Sequence, residues 1–180
     1  MAKKTIKEQR ISKVIDALNC ARSMELHAIS QYMNQHYNLD NSDYGQFASN
    51  VKLIAIDEMR HAEMFAERIK ELDGEPTSDL AEKVTKGQKV RIVFSYDTDL
   101  ETKTIDEYNR LLNICRENGD SISAKLFENI LEEEQSHLNY FSNTDGHIKT
   151  LGDTYLSKIA GTKLIEIPSK GFVSEESKAS

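Results

Sequence analysis

Four long segments of this chain carry apolar residues at alternating spacings of three and four. This spacing is typical of the buried stripe of a helix that packs lengthwise against other helices. The chain has two prolines and eight glycines in 180 residues, so little interrupts such helices. The sequence therefore predicts an all-α fold built as a four-helix bundle.

Glycines, prolines and capping residues mark where the predicted helices end. Residues 90–94 (VRIVF) are rich in β-branched side chains, which favour a strand, but the three-four spacing continues through them, so we extend the third helix back to Val90. The predicted helices are 11–40, 47–72, 90–118 and 121–151, with a short fifth helix at 154–160. Residues 74–89 read as a long connection that can cross the bundle between helices 2 and 3.

Each of the four apolar stripes is interrupted by ionisable side chains. The second and fourth stripes each hold a Glu-x-x-His pair, and this spacing puts both side chains on one helix face. The residues are Glu25, Glu58 with His61, Glu101, and Glu134 with His137. An isolated buried carboxylate costs on the order of several kcal/mol, and four exceed the roughly 5–15 kcal/mol of net stability of a domain. Either these groups are neutral or cations lie among them.

Two divalent ions would balance the four glutamates. Oxygen ligands mixed with imidazole suit iron or manganese and also accept zinc. One Glu from each of two helices and a Glu-x-x-His pair from each of the other two is the ligand set of di-iron carboxylate bundles. In that arrangement Glu58 and Glu134 bridge the two ions. Glu25 with His61 completes one ion, and Glu101 with His137 completes the other. The alternative is that these are surface residues on helices whose buried face is assigned wrongly.

Three stretches carry a family resemblance: MELHAISQYMNQHY, DEMRHAEMFAERIKELDGEP, and EEEQSHL followed by HIKTLGDTYL. Through them residues 12–161 resemble the bacterioferritins. The resemblance implies a ferritin-like bundle whose subunits form two-fold dimers and then a hollow cage of 24. It implies that Fe(II) is oxidised at a di-iron centre within each subunit and that the ferric product is stored as a mineral. It assigns the same six ligands to the di-iron centre, and places Tyr32 beside them.

The resemblance also implies a haem shared by two subunits, bound through Met59. Met59 follows Glu58 directly, hence about 100° around the helix and away from the ligands. On the first helix a second apolar stripe, Leu26, Ile29 and Met33, also lies off the metal face and suggests a subunit interface. Arg60 would then pair with a haem propionate. The alternative is that Met59 only packs in an interface. The porphyrin type stays open.

One position departs from the family. Some members have a further iron site on the inner wall, made partly by a histidine five residues before the first bridging glutamate, and Leu53 stands there in this chain. The route of iron into the cavity is therefore open. His27 and His36 have no partner pattern and are interpreted as surface or interface residues.

Composition and charge exclude several function classes. A net charge of −7 without a basic stripe argues against nucleic-acid binding, and no apolar run is long enough for a membrane span. The N-terminus has no apolar secretory signal, so we predict a cytoplasmic protein. Cys20 and Cys115 are too few for a disulfide framework. We predict one domain over residues 1–161 and a flexible polar tail over 162–180.

The functional prediction is an iron store and detoxifier that oxidises Fe(II) with O₂ or H₂O₂ and exchanges electrons with a small redox protein. A di-iron peroxidase of the rubrerythrin type is one alternative, although such proteins usually carry a Cys-x-x-Cys module that is absent here. A DNA-protecting mini-ferritin is another, although those place the metal site between subunits. A haem-binding dimer with an inactive metal site is the third.

Overall fold

The computed structural model describes residues 5–165, and these form a helical bundle. The five helices are α1 (Ile6–Asn41), α2 (Gly45–Glu71), α3 (Val90–Glu117), α4 (Ser121–Leu151) and α5 (Asp153–Ile159). The predicted four long helices and short fifth helix are confirmed, including the start of α3 at Val90. Within this part of the chain, no helix combines the length and the hydropathy needed to cross a membrane.

The first helix begins five residues before the predicted start. Thr5 and Glu8 form a capping box: the Glu8 backbone N–H donates to the Thr5 hydroxyl at 3.2 Å, and the Thr5 N–H donates to the Glu8 carboxylate at 2.7 Å. This pair satisfies two N–H groups that a helix start otherwise leaves without partners. The prediction placed the start at Ile11, where the regular three-four spacing begins, and overlooked this polar signal.

The long connection between α2 and α3 runs lengthwise along α1. Near its start the Asn19 side chain donates to the Glu75 carbonyl, and near its end Gln31 donates to the Thr85 carbonyl. The chain is thereby carried from the beginning of α1 to its far end, where α3 starts. As a result α3 lies antiparallel to α1, and the predicted crossover is confirmed.

Residues 162–165 return to the start of α2. The Gly45 N–H donates to the Thr162 carbonyl at 3.2 Å, and the Ile165 N–H donates to the Ser49 hydroxyl at 2.8 Å. A Cβ on Gly45 would collide with the backbone of residues 162–164, so only glycine permits this approach. The predicted tail thus begins with four residues held against the bundle, and its remainder, 166–180, lies outside the described residues.

Buried apolar residues form two clusters, one toward each end of the bundle. One contains Phe47, Phe94 and Phe141, and the other contains Phe65 and Phe127. Burying each such side chain contributes about 1.5–3 kcal/mol. On every long helix, the ionisable residue of the stripe lies between a member of one cluster and a member of the other. A buried polar layer therefore crosses the middle of the bundle between two apolar layers.

Candidate metal centre

The polar layer brings together the six residues predicted as ligands. All six side chains are buried: Glu25 from α1, Glu58 and His61 from α2, Glu101 from α3, and Glu134 and His137 from α4. They form two groups in which each residue offers one donor atom and all donor atoms lie within 4.8 Å of one another. The first group is Glu25, Glu58, His61 and Glu134, and the second is Glu58, Glu101, Glu134 and His137. Glu58 and Glu134 belong to both groups, which is the arrangement expected of bridging ligands.

Both histidines turn Nδ1 toward the centre. The Nδ1 atom of His61 lies 3.0 Å from Glu58 Oε2 and 3.0 Å from Glu134 Oε1. The Nδ1 atom of His137 lies 3.2 Å from Glu58 Oε1 and 3.6 Å from Glu134 Oε2. Each imidazole thus contacts the glutamate of its own helix and that of the opposite helix. Nδ1 is the nitrogen available to an ion on each side.

The outer nitrogen of each histidine faces an acidic side chain from the opposite helix. His61 Nε2 lies 3.4 Å from Glu133, and His137 Nε2 lies 3.5 Å from Asp57. The Arg60 guanidinium joins these two acids, at 3.0 and 2.7 Å. A carboxylate behind a ligating histidine fixes the ring and raises its basicity. The sequence analysis assigned no role to Asp57 or Glu133, and the available signal was an acid directly before each bridging glutamate.

The terminal glutamates receive hydrogen bonds from two buried tyrosines. The Tyr32 hydroxyl donates a short bond to Glu101, and the Tyr108 hydroxyl donates a short bond to Glu25. Each tyrosine lies two helical turns after the glutamate of its own helix and bonds to the glutamate of the other helix. The site therefore has an internal pseudo-two-fold arrangement that exchanges α1 with α3. Tyr32 was predicted beside the site, whereas Tyr108 was not.

Burial decides the protonation of the terminal glutamates when no metal is bound. Desolvation raises the pKa of Glu25 and of Glu101 well above the ordinary value, and repulsion from Glu134 and Glu58 raises both further. The short hydrogen bonds from the tyrosines oppose this only in part. Both terminal carboxyl groups therefore favour the protonated form in the metal-free protein.

The histidines and Glu134 behave in the opposite way. Burial lowers the pKa of His61 and His137, but their hydrogen bonds with Glu134 and Glu58 outweigh it and raise both pKa values to about 10. Burial raises the pKa of Glu134, but its hydrogen bonds with the two histidines outweigh that effect and lower it to about 2. The metal-free centre thus holds protons where cations would otherwise balance its carboxylates.

Several nitrogen and oxygen atoms at the centre are available as metal ligands. Among the described residues, three buried atoms there lack a hydrogen bond of good geometry: Oε1 of Glu58, Oε1 of Glu134 and Nδ1 of His137. A native protein seldom leaves such atoms without partners, and a cation would satisfy all three. Two oxygen-rich groups that each add one imidazole suit iron or manganese, and would also accept zinc.

Met59 lies on the outer face of α2, away from the carboxylates. Its side chain is 53 % exposed. It contributes to an open groove of about 580 Å³ that is also lined by Leu26, Ile29, Ile56 and Arg22. An exposed thioether in an apolar groove fits a flat apolar ring such as haem. Arg60, considered as a propionate partner, also borders this groove, and its guanidinium pairs with Asp57 and Glu133.

The remaining predicted positions fall outside these two sites. Leu53 is 41 % exposed. The interpretation of His27 and His36 as surface or interface residues was wrong, because both are buried within the subunit. His36 Nδ1 is 2.8 Å from the Ala48 carbonyl of α2, an interhelical contact that the sequence spacing does not reveal. Among the described residues Cys20 and Cys115 are free; Cys115 is buried in the core and Cys20 is partly buried.

A four-helix bundle with this ligand set defines the class of ferritin-like di-metal carboxylate proteins. A family model described as ferritin-like domain matches residues 15–151. The bacterioferritin of Desulfovibrio desulfuricans is 60 % identical over 168 residues, which are 93 % of this chain and 94 % of the relative. That of Streptomyces coelicolor is 35 % identical over 82 % of this chain and 89 % of its own length. The chain belongs to the bacterioferritin family.

Solved structures agree with this assignment. The X-ray structure of Desulfovibrio desulfuricans bacterioferritin, which concerns the diiron site of that protein in different catalytic states, matches with a TM-score of 0.90. The two sequences are 58 % identical, and the match covers 94 % of this chain and 99 % of that one. Mycobacterium tuberculosis bacterioferritin matches with a TM-score of 0.77 at 31 % identity, over 82 % of this chain and 93 % of that one.

Proposed function

We propose that this protein stores and detoxifies iron by oxidising Fe(II) to Fe(III) at the candidate metal centre, with Glu25, Glu58, His61, Glu101, Glu134 and His137 as the ligands. The observation that carries the proposal is the pair of ligand groups that share Glu58 and Glu134 inside one subunit. Sharing two carboxylates holds two ions close enough to react together. Membership of the bacterioferritin family supports the same activity.

The ligands and the acids beside them have different roles, which follow from their positions. Glu58 and Glu134 hold two Fe(II) ions between them, so that O₂ or H₂O₂ can accept one electron from each. His61 and His137 complete the two sides, while Glu133 and Asp57 keep their rings in place. The anionic oxygen ligands favour the ferric product over the ferrous substrate.

Tyr32 and Tyr108 set the orientation of the terminal glutamates. Each hydroxyl holds one carboxyl oxygen of Glu101 or Glu25 and so fixes the orientation of that carboxyl group at the centre. The aromatic rings of the two apolar clusters enclose this layer on both sides: Tyr32 contacts Phe141 and Tyr108 contacts Phe65, at ring distances of 5.3 and 5.7 Å. These contacts keep bulk water away from the centre and hold the carboxylates still.

We assign Met59 as the ligand through which each of two subunits binds a shared haem. The half-exposed thioether and the apolar groove around it support the assignment. When bound, haem supplies one-electron transfer. A small electron-transfer protein is the partner expected for that step, and release of stored iron is its expected use.

The assembly we propose is a cage of 24 subunits built from two-fold dimers, with the ferric mineral in its cavity. The apolar groove around Met59 is the surface at which two copies would pair. Leu53 offers no donor atom toward an inner-wall iron site, so we propose that iron reaches the cavity without one. A complete ligand set within one chain separates this protein from mini-ferritins that build the site between subunits.

Replacing Glu58 with Ala tests the function. The substitution removes a ligand of both ions, so fast oxidation of Fe(II) should disappear. Glu67→Ala is the matched control, because Glu67 is an exposed glutamate on the same helix. Wild-type oxidation rates in the Glu58→Ala protein would refute the site. Rapid peroxide turnover without any mineral formation would favour a rubrerythrin-like peroxidase instead.

A further inference from the structure

A second buried acid lies one helical turn before Glu101 on α3. Asp97 is fully buried, and the Gln35 side chain of α1 donates from Nε2 to Asp97 Oδ1 at 2.7 Å. Gln35, also fully buried, donates from the same nitrogen to Gln88 Oε1 at 2.8 Å. Asp97 is none of the six candidate ligands, and the proposed oxidation assigns it no role.

Two acceptor atoms of this pair have no partner. Asp97 Oδ2 and Gln35 Oε1 are both buried and accept no hydrogen bond. An ionised carboxylate has no hydrogen to donate, so it cannot satisfy the amide oxygen. One proton on Asp97 resolves both cases, because the acid can then donate to Gln35 Oε1 while it accepts from Gln35 Nε2. Acid and amide would form a cyclic pair with two hydrogen bonds.

The surroundings of Asp97 favour the neutral form. Burial raises its pKa well above the ordinary value, and the hydrogen bond from Gln35 lowers it only in part. The titratable groups near it are Tyr32 from α1 and Tyr140 from α4, and Glu101 follows four residues later on its own helix. Within residues 5–165 no cationic side chain contributes to its pKa, so an ionised Asp97 would be a buried charge without a counter-ion.

Hydrogen bonds connect this pair to the surface, and Tyr32 of the centre lies close to Asp97. On the inner side, the next contact between α1 and α3 is the Tyr32–Glu101 hydrogen bond. On the outer side, Gln31 donates to Gln88 at 2.9 Å and exchanges hydrogen bonds with the backbone of Thr85 at 3.0 and 2.8 Å. Thr85 is exposed in the connection between α2 and α3. Hydrogen-bonded polar groups thus extend from Thr85 at the surface to Asp97 within an otherwise apolar end of the bundle.

We propose that Asp97 is a protonated acid paired with Gln35, and that it is a proton reserve beside the ferroxidase centre, releasing or regaining its proton as the charge at the centre changes. The proposal rests on the proposed oxidation. In that reaction two Fe(II) ions give one electron each to O₂, which takes up two protons to become H₂O₂. Each Fe(III) then releases three protons as it hydrolyses to FeO(OH). Asp97 is none of the six candidate iron ligands, and its proposed role is to hold one exchangeable proton near them.

Infrared spectroscopy of the iron-free protein tests the pair directly. The difference spectrum between wild type and Asp97→Asn should contain the carbonyl stretch of a protonated carboxylic acid, present in wild type only. Asp145→Asn is the control, since Asp145 is a buried aspartate paired with Lys149 at 2.6 Å, and it should give no such difference. Absence of the band from the Asp97→Asn difference would overturn the proposal, whatever the protein does with iron.

The oxidation kinetics of the same variant test the role of the Asp97 proton in the oxidation of Fe(II). Asparagine can keep both hydrogen bonds to Gln35 as an amide–amide pair, so Asp97→Asn should bind Fe(II) with wild-type stoichiometry. Its oxidation should be severalfold slower and its rate should depend on pH less than in wild type. A wild-type rate and pH profile in this variant would overturn the proposal. A wild-type protein that binds Fe(II) but fails to oxidise it would refute the proposed function. The infrared measurement would still test the acid–amide pair, because it needs no iron.

Discussion

Cation binding at the centre should strengthen steeply as pH rises. In the metal-free protein the pKa values of His61 and His137 are raised from about 6.5 to about 10 by their hydrogen bonds with Glu134 and Glu58. A pKa raised by folding stabilises the folded state fully below pH 6.5, and that stabilisation is lost as pH rises through about 10. A metal ion requires the neutral imidazole, so it must displace a proton from each ring.

The magnitude follows from these pKa values. At pH 7 each histidine lies about three units below its metal-free pKa, which corresponds to roughly 4 kcal/mol opposing cation binding per ring. Below pH 10 the affinity of each ion should therefore rise at least tenfold per pH unit. The protonated Glu25 and Glu101 add to the proton release as well.

Calorimetry with Zn(II), which is redox-silent, measures this linkage. Titrations in buffers of different ionisation enthalpy count the protons released, and at least two should leave for each pair of ions bound. His137→Ala should release about one proton fewer, while His147→Ala, an exposed position on the same helix, should behave as wild type. Binding without proton release, or affinity that stays constant with pH, would refute the assignment of the raised pKa values to the metal-binding rings.

Three further outcomes are expected. Met59→Leu should abolish haem binding and leave the cage intact, which absorption spectra and gel filtration would report, and unchanged haem content would contradict the assignment. Tyr108→Phe removes the hydrogen bond to the buried Glu25. The free energy of unfolding of the metal-free protein should therefore fall by about 1–3 kcal/mol in denaturant titrations. An unchanged free energy of unfolding would contradict the role given to this bond. Gly45→Ala should lower the unfolding midpoint, since its Cβ would meet the backbone at Thr162, and a stability equal to wild type would show that residues 162–165 do not pack there.

The helices and ligands were predictable because two local signals agree. The three-four spacing fixes which face of each helix is buried, and a carboxylate on that face is costly unless it is neutralised or binds a cation. Glu25 illustrates this: it stands alone as a charged residue in an otherwise apolar stripe, and it lies at the centre. The crossover followed from connection length alone, because sixteen residues reach from one end of the bundle to the other.

Contacts between helices were not predictable, because they depend on how far one helix is shifted along another. Asp57 and Glu133 each support a histidine on the opposite helix, and no spacing within one helix indicates such a pairing. The role of Tyr108 was missed for the same reason, because its hydrogen-bond partner Glu25 lies on α1. The partner of Asp97, Gln35, lies on the first helix, so the protonation of Asp97 could be inferred only once the two helices were seen together.

Anaerobic titration of the iron-free, haem-free protein with Fe(II), followed by admission of oxygen, tests whether these six residues form a ferroxidase centre. Two Fe(II) ions should bind per subunit, one for each ligand group, and ferric absorbance should then rise quickly. The rise should be absent from His61→Ala and unchanged in His147→Ala. Weak or absent Fe(II) binding by the wild type, or rapid oxidation that persists in His61→Ala, would contradict a ferroxidase built from these six ligands.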